Sequence, residues 1–140
     1  MNLERLKTEL TRDEGRKPKL YADSVGKLTI GVGHNLSDKP LIAKAIDVIL
    51  EDDIGDAEND LDRALPWWKT LDEVRQRVLA NMCFNLGIES LCGFKNTLRA
   101  VQEGRYSDAA RLMLESKWAA QVGVRAERLS KMMETGNELA

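Results

Sequence analysis

The apolar pattern between residues 40 and 66 constrains this chain more than any other feature of its sequence. Ten apolar residues recur there at helical spacing: Leu41, Ile42, Ala45, Ile46, Ile49, Leu50, Ile54, Ala57, Leu61 and Leu65. Pro40 precedes the pattern and Pro66 ends it, because proline has no backbone N–H and blocks a continuing helix. The spacing predicts one helix of about 25 residues, longer than most helices of globular domains. Such a helix is typical of a strut that joins two lobes.

The residues before this helix change from a helical to a β-type period. Leu3, Leu6 and Leu10 predict a short amphipathic helix that ends near Gly15. Residues 19–34, KLYADSVGKLTIGVGH, then place a glycine-containing turn between short runs of apolar and β-branched residues. This pattern predicts a small β-hairpin or meander.

The residues after the long helix keep a helical period. Thr70 and Glu73 have the spacing of a capping box, and the helix that they open is nearly free of charge after Arg77. We therefore expect it to be the buried central helix of a helical lobe. Shorter helices are predicted over residues 95–102, after a cap at Ser107, and over residues 124–135.

Together these elements predict an α+β fold in a single domain. A small N-terminal β-hairpin or meander lobe, about residues 15–50, is joined by the long helix to a larger all-helical lobe, about residues 60–140, which also includes the N-terminal helix. With 140 residues, 43% of them hydrophobic and 31% charged, the chain can bury a core without metals or disulfides. From the sequence pattern we expect no apolar segment that would cross a bilayer and no secretory leader.

The cysteines and the charges argue against several other classes. Cys83 and Cys92 lie in apolar surroundings and are expected to be reduced core thiols. With one histidine, the chain lacks the paired-ligand spacing of a zinc site, and we expect neither a metal nor a cofactor. Residues 38–73 carry four Lys/Arg against eleven Asp/Glu, which is typical of a solvated helix face. Without a basic stripe and interleaved aromatic residues, nucleic acid is not an expected partner.

Candidate catalytic residues surround the hairpin. Glu14 lies at the end of the first helix, Asp23 in the turn that enters the hairpin, and Thr29 on the returning strand. Two carboxylates at this separation are, by themselves, usual on a solvated surface, but a position beside the seam of two lobes favours a ligand-binding cleft. Paired carboxylates suit the cleavage of a glycosidic bond, because one protonates the leaving oxygen while the other stays ionised. In this interpretation Glu14 is the acid, Asp23 is the base, and Thr29 holds the attacking water.

The spacing Glu14-x8-Asp23-x5-Thr29, which ends in TIGVGH, resembles the catalytic signature of the T-even-phage-type lysozymes, glycoside hydrolase family 24. Four further segments resemble the helical lobe of that family in the same order: residues 81–87, 93–99, 116–118 and 125–128. The resemblance covers nearly the whole chain and implies a phage-lysozyme-like fold. It also implies a muramidase that hydrolyses the β-1,4 bond between N-acetylmuramic acid and N-acetylglucosamine with inversion, with the three residues in the roles given above.

The resemblance implies roles outside the hairpin as well. Arg125 resembles the arginine that pairs with the catalytic glutamate, here Glu14. His34 and Asp53 match a structural ion pair, so the one histidine is assigned to stability. The positions that match the lining of the substrate cleft are Phe84, Asn85 and Thr97, although Phe84 is equally consistent with a plain core residue.

The chain departs from the family in two places. Between His34 and Asp53 it is shorter than the best-known members, which implies a more open cleft and fewer sugar contacts from the small lobe. Asn85 stands where many members have glutamine, a longer side chain with the same polar groups.

The leading hypothesis is a phage endolysin that acts as a monomer on bacterial peptidoglycan glycan strands. It is expected to accumulate in the host bacterial cytoplasm. It would then reach the wall, in the periplasm, through a lesion made by a separate phage membrane-permeabilising protein. The protein itself is not expected to insert into a membrane. Two alternatives stay open. A lytic transglycosylase would use Glu14 alone and leave anhydro-muramic ends, and a non-catalytic relative would bind muropeptides without making product.

Overall fold

The computed structural model describes residues 1–139 and has the predicted α+β fold, with a small antiparallel sheet followed by a larger helical region. The elements are α1 (Leu3–Glu14), β1 (Lys17–Ala22), β2 (Leu28–Gly31), β3 (His34–Asn35), α2 (Ala43–Ala64), a 3₁₀ helix (Pro66–Thr70), α3 (Glu73–Leu86), α4 (Ile88–Cys92), α5 (Lys95–Gln102), α6 (Tyr106–Leu114), α7 (Lys117–Val122) and α8 (Val124–Thr135). The chain divides into two compact units, Met1–Val48 and Ile49–Ala140. None of the helices in the described part of the chain combines the length and apolar character that a membrane span requires.

Helix α1 ends where the sequence predicts. Asn2 caps its start by accepting a hydrogen bond from the N–H of Arg5, and Gly15 ends it with a φ of +79°, a conformation that favours glycine. The N–H of Gly15 donates to the carbonyl of Thr11. α1 groups with the sheet in the first unit, and its place in the helical lobe stays a prediction.

The predicted meander is confirmed. Strands β1, β2 and β3 pair in that order and are antiparallel. Tyr21 lies opposite Thr29, and Ile30 lies opposite His34. The register of β1 against β2 shifts between Lys17 and Tyr21, so β1 is irregular at its start.

The predicted long helix is confirmed as α2, which has 22 residues. It begins at Ala43, a few residues after Pro40, because the carbonyl of Ile42 is the first to accept helical hydrogen bonds. It ends before Pro66, as predicted. Its acidic residues are mostly exposed, whereas Leu61 is fully buried. The acidic run is therefore a solvated helix face.

The core of the second unit is apolar, and α3 contributes four buried residues to it, as predicted for the central helix: Val78, Leu79, Met82 and Cys83. Helices α2, α5, α6 and α8 contribute further buried side chains to this core. Cys83 and Cys92 are both free thiols. Burial raises the pKa of the Cys83 thiol, which keeps it protonated and unreactive.

The predicted capping box at the start of α3 is wrong. Asp72 caps the helix, because its carboxylate accepts a hydrogen bond from the N–H of Arg75. The hydroxyl of Thr70 donates to the carbonyl of Trp67 within the preceding 3₁₀ helix. The cap is therefore a local aspartate, although the threonine and Glu73 fit the spacing of the motif.

The predicted cap at Ser107 is also wrong. Ser107 lies inside α6, which starts without a side-chain cap directly after a turn at Gly104, where φ is +75°. The bounds of α5 and α8 agree with prediction. The short helices α4 and α7 are not predicted, although Ser116 caps α7 by accepting a hydrogen bond from the N–H of Ala119.

Arg75 on α3 contacts three parts of the second unit: the end of α8, the cap residue Asp72 and the ring of Tyr106 on α6. Its Nε donates to the carbonyl of Met133 at 2.7 Å, its Nη2 to that of Glu134 at 2.9 Å, and its Nη1 to the carboxylate of Asp72 at 3.0 Å. The guanidinium lies 3.5 Å from the ring centroid of Tyr106, within cation–π range. Because the side chain is only 13% exposed, these contacts are shielded from water. Arg75 therefore ties the end of α8 to the start of α3.

The same contacts act on the titration of Asp72. Partial burial acts to raise its pKa, but hydrogen bonds from the backbone and guanidinium of Arg75 outweigh burial, so the pKa of Asp72 is lowered. A lowered pKa means that this carboxylate stabilises the fold above the ordinary pKa of aspartate, about 4. That stabilisation is lost as the pH falls through the lower pKa of the folded state.

We expect Arg75→Ala to lower the free energy of unfolding by about 2–3 kcal/mol, because it strands two carbonyl acceptors and removes a shielded cation. Arg111→Ala is the control. Arg111 is 59% exposed and pairs with the exposed carboxylates of Asp108 and Glu115, so its loss should stay below about 0.5 kcal/mol. Urea denaturation measures both variants, and equal losses would contradict the role given to Arg75.

Candidate active site

The three predicted catalytic residues all lie in the first unit. Glu14 is the last residue of α1, Asp23 directly follows β1, and Thr29 lies on β2. Glu14 is exposed, Asp23 is half-buried, and Thr29 is only 4% exposed. The fold therefore places one helix end and one hairpin turn, each with a carboxylate, in the same compact unit.

Asp23 organises the turn between β1 and β2. Its Oδ1 accepts hydrogen bonds from the N–H of Val25 at 3.0 Å and from that of Lys27 at 2.8 Å. The backbone of Asp23 adds a bond from its N–H to the carbonyl of Lys27, and its carbonyl accepts from Gly26. These bonds fix the direction of the carboxylate, so Asp23 holds the turn as well as carrying a charge.

The hydroxyl of Thr29 donates to the carbonyl of Lys27 at 2.9 Å. A hydroxyl that donates one hydrogen bond keeps its oxygen lone pairs as acceptors. Thr29 is thus held by the same residue that closes the Asp23 turn. Its role in positioning a water molecule stays a prediction.

The side chain of Glu14 lies against Gly33, in the turn between β2 and β3. No role for Gly33 is predicted from the sequence, because a glycine in such a segment indicates only a turn. Its φ of +64° supports that interpretation, but the contact with a candidate catalytic carboxyl is additional.

His34 and Asp53, the predicted ion pair, lie in different units. The Nε2 of His34 is 2.9 Å from the carbonyl oxygen of Lys39, and because a carbonyl only accepts, Nε2 carries the proton of this bond. The ion pair itself stays a prediction. Asp52, Asp53 and Asp56 have carboxylate oxygens within 4.8 Å of one another, but all three are exposed, and such a cluster alone does not define a metal site.

The predicted substrate-binding residues lie in the second unit and differ in exposure. Phe84 is 46% exposed, so it is a surface aromatic residue and not part of the core. Asn85 is exposed, and its Oδ1 accepts a hydrogen bond from the indole N–H of Trp118 at 2.8 Å. Thr97 is only 6% exposed and offers little surface to a ligand. Their contacts with substrate stay predictions.

A groove of about 950 Å³ in the second unit brings together Phe84, Asn81 and Arg125. The Nε of Arg125 donates to Oδ1 of Asn81 at 2.9 Å, and its Nη2 lies 3.5 Å from the Asn81 carbonyl. These contacts orient the guanidinium. No role for Asn81 is predicted from the sequence, although a polar residue in the apolar part of the helix after Arg77, one turn before Asn85, is the signal that could have identified it.

The fold and these side chains define a class. An α+β fold with two carboxylates beside a small antiparallel sheet is an arrangement typical of lysozyme-type glycosidases. In these enzymes one carboxyl group acts as the acid and the other as the base. The chain belongs to the phage lysozyme family, whose family model matches residues 11–134 and so includes Glu14, Asp23 and Thr29. It is thus a lysozyme-type peptidoglycan hydrolase by family.

Three relatives are similar to this chain over most of its length, and two of them carry lysozyme names. The chain is 26% identical over 160 aligned positions to probable T4-type lysozyme 1 of Dictyostelium discoideum, and 30% identical over 161 positions to probable T4-type lysozyme 2 of that organism. Both alignments cover 94% of this chain and 94% of the relative. The chain is also 28% identical over 156 positions to the pre-baseplate central spike protein Gp5 of Enterobacteria phage T4, covering 91% of this chain and 27% of that protein. Each alignment is longer than this 140-residue chain, so each relative contains residues without a counterpart here.

The hydrogen bonds of Asp23 predict different effects for two substitutions. Asp23→Asn keeps a side-chain oxygen that can accept from Val25 and Lys27, so we expect the free energy of unfolding to change by less than about 0.5 kcal/mol. Asp23→Ala removes the acceptor and should cost about 1–2 kcal/mol. Urea denaturation of the two variants tests this difference, and equal stabilities would show that the side chain does not hold the turn.

Proposed function

We propose that this protein is a muramidase, which hydrolyses the β-1,4 bond between N-acetylmuramic acid and N-acetylglucosamine in peptidoglycan with inversion. The observation that supports this most directly is the presence of Glu14 and Asp23 in one compact unit, within the residues that match the phage lysozyme family. In an inverting glycosidase, one carboxylic acid protonates the leaving oxygen. The other carboxylate activates a water molecule on the opposite face of the sugar.

Each residue of the first unit has a distinct role in this proposal. Glu14 is the general acid, because its exposed position at the end of α1 lets its proton reach the leaving oxygen. Asp23 is the base, and the turn that it closes holds its charge in a fixed direction. Thr29 positions the attacking water through the lone pairs that remain after its hydroxyl donates to Lys27.

The second unit supplies substrate contacts and electrostatic support in the same proposal. Arg125 has the role of an electrostatic supporting residue that the family resemblance implies, and its guanidinium is oriented by its bonds to Asn81 on α3. Phe84 offers an exposed aromatic face to the glycan. The oxygen of the Asn85 side chain accepts the bond from Trp118, so its NH₂ group is the part that can donate to the glycan. Thr97, which is only 6% exposed, contributes through packing and not through direct contact with the glycan.

We expect purified Gram-negative peptidoglycan treated with the wild-type protein to yield reducing N-acetylmuramic ends, as measured by mass spectrometry of the products. Glu14→Gln should release them at least about 100-fold more slowly, because glutamine keeps the size of the side chain and cannot donate the proton. Asp23→Asn should also lose most of the activity while it keeps the turn, which makes it a better test than Asp23→Ala.

Each alternative gives a different product result. Anhydro-muramic ends, with turnover retained in Asp23→Asn, would assign the protein as a lytic transglycosylase. Muropeptide binding without any product, and equal binding by Glu14→Gln, would assign a non-catalytic relative. Full activity in Glu14→Gln would exclude Glu14 as the acid.

We also propose that the biological role is that of a phage endolysin. In this role the protein is held as a monomer in the host bacterial cytoplasm until a separate phage protein permeabilises the inner membrane, and it then reaches the glycan strands of the wall. Membership of the phage lysozyme family supports this role.

Expression in a Gram-negative host tests this role. We expect cells that contain the wild-type protein to keep their optical density until the inner membrane is permeabilised, for example with chloroform, and then to lyse. Cells that contain equal amounts of Glu14→Gln should not lyse after the same treatment. Lysis of untreated cells would contradict the need for a separate permeabilising protein.

A further inference from the structure

We infer that Gly33 is a positioning residue that sets where the carboxyl group of Glu14 lies. Gly33 belongs to the turn that joins β2 to β3, and Ile30 and His34 form the last pair on either side of this turn. The inference rests on the proposed role of Glu14 as the general acid. It adds a steric requirement to that role: position 33 must carry no side chain.

The contact between the two residues is closer than a methyl group allows. A Cβ placed on Gly33 would lie 3.0 Å from both Cδ and Oε2 of Glu14, and 3.2 Å from its Cγ. Favourable contacts between carbon atoms occur at about 3.5–4.0 Å. A side chain at position 33 therefore displaces three atoms of the Glu14 side chain, including the atoms of its carboxyl group.

The local backbone explains why the side chain of Glu14, and not the backbone, would move. Glu14 is the last residue of α1, and Gly15 ends that helix with an N–H bond to the Thr11 carbonyl, so the backbone on this side is held. Gly33 lies in a tight turn between paired strands and is also held. The side chain of Glu14 is exposed and can rotate. The displacement therefore falls on the carboxyl group and leaves the fold in place.

A displaced carboxyl group is a poor general acid. Proton transfer requires the acid to lie within hydrogen-bond distance of the leaving oxygen, about 2.6–3.2 Å. A misplacement of about 1 Å can cost about 100-fold in rate, so a shift of several tenths of an ångström should cost roughly 10-fold. The bound ground state does not depend on this distance, so the loss should appear in kcat and not in KM.

Gly31, the last residue of β2 and two positions before Gly33, provides a matched control. Gly31 and Gly33 have φ values of +69° and +64°, so alanine is similarly strained at both positions. A Cβ at Gly31 would meet no atom within 4 Å, whereas a Cβ at Gly33 meets Glu14. The comparison of Gly31→Ala with Gly33→Ala therefore separates the backbone strain, which the two share, from the steric contact, which only one has.

The experiment compares the two variants on soluble glycan fragments of peptidoglycan. We expect Gly33→Ala to lower kcat roughly 10-fold at nearly unchanged KM, and Gly31→Ala to keep kcat within about 2-fold of the wild type. Circular dichroism and the melting temperature establish that both variants fold. Equal kcat values for the two variants would overturn the inference.

A second measurement does not depend on activity. Glu14→Ala removes the atoms that a side chain at position 33 would meet, so Gly33→Ala should lower Tm less in the Glu14→Ala background than in the wild type. Gly31→Ala should lower Tm equally in both backgrounds. If Gly33→Ala has the same effect on Tm in both, the contact is absent and the inference fails. If Glu14→Gln stays active, the proposed function fails instead, and this Tm comparison still decides the contact.

Discussion

The first unit depends on two backbone hydrogen bonds that a single carboxylate oxygen accepts. Oδ1 of Asp23 binds the N–H groups of Val25 and Lys27, which closes the turn between β1 and β2 and places Tyr21 opposite Thr29. A slip of one residue would turn every side chain of the slipped strand to the other face of the sheet. The structural role of Asp23 therefore fixes the direction of its charge. A fixed charge is what acid/base catalysis requires, because no reorganisation remains for the reaction step.

The two units are stabilised in different ways. The second unit has an apolar core centred on α3, together with the shielded guanidinium of Arg75. In the first unit, residues 1–48, Thr29 is the only buried side chain, and the order comes from strand pairing, turn hydrogen bonds and glycines at positive φ. Segments with little buried apolar surface open locally at low free energy. The candidate catalytic residues therefore lie in the part of the chain that its own packing stabilises least.

The sequence predicts those parts of the fold that depend on neighbouring residues. The end of α1 at Gly15, the meander and the bounds of α8 follow from local stop signals and periodicity, and all three are confirmed. The cap at Thr70 is wrong because Asp72 competes for the same backbone donors and forms the bond instead. The cap at Ser107 is wrong because α6 begins before Ser107, after the turn at Gly104, and has no side-chain cap. The bond from Arg75 to Met133 joins positions 58 residues apart, so no local pattern could indicate it.

The same distinction applies to the candidate site. Glu14, Asp23 and Thr29 lie within one short stretch, and their residue types carry the chemistry, so a sequence pattern can indicate them together. Contacts between distant positions are not indicated by such a pattern. Asn81 and Arg125, which share a hydrogen bond, lie 44 positions apart. The role inferred for Gly33 depends on the absence of a side chain. A turn requires glycine because its backbone adopts positive φ, and a close contact requires glycine because it has no side chain. Only a structure shows which of these two requirements applies at a given glycine. Both requirements apply at position 33. The turn explains why alanine at this position would lower stability, and the neighbouring carboxyl group of Glu14 explains why it would also lower activity.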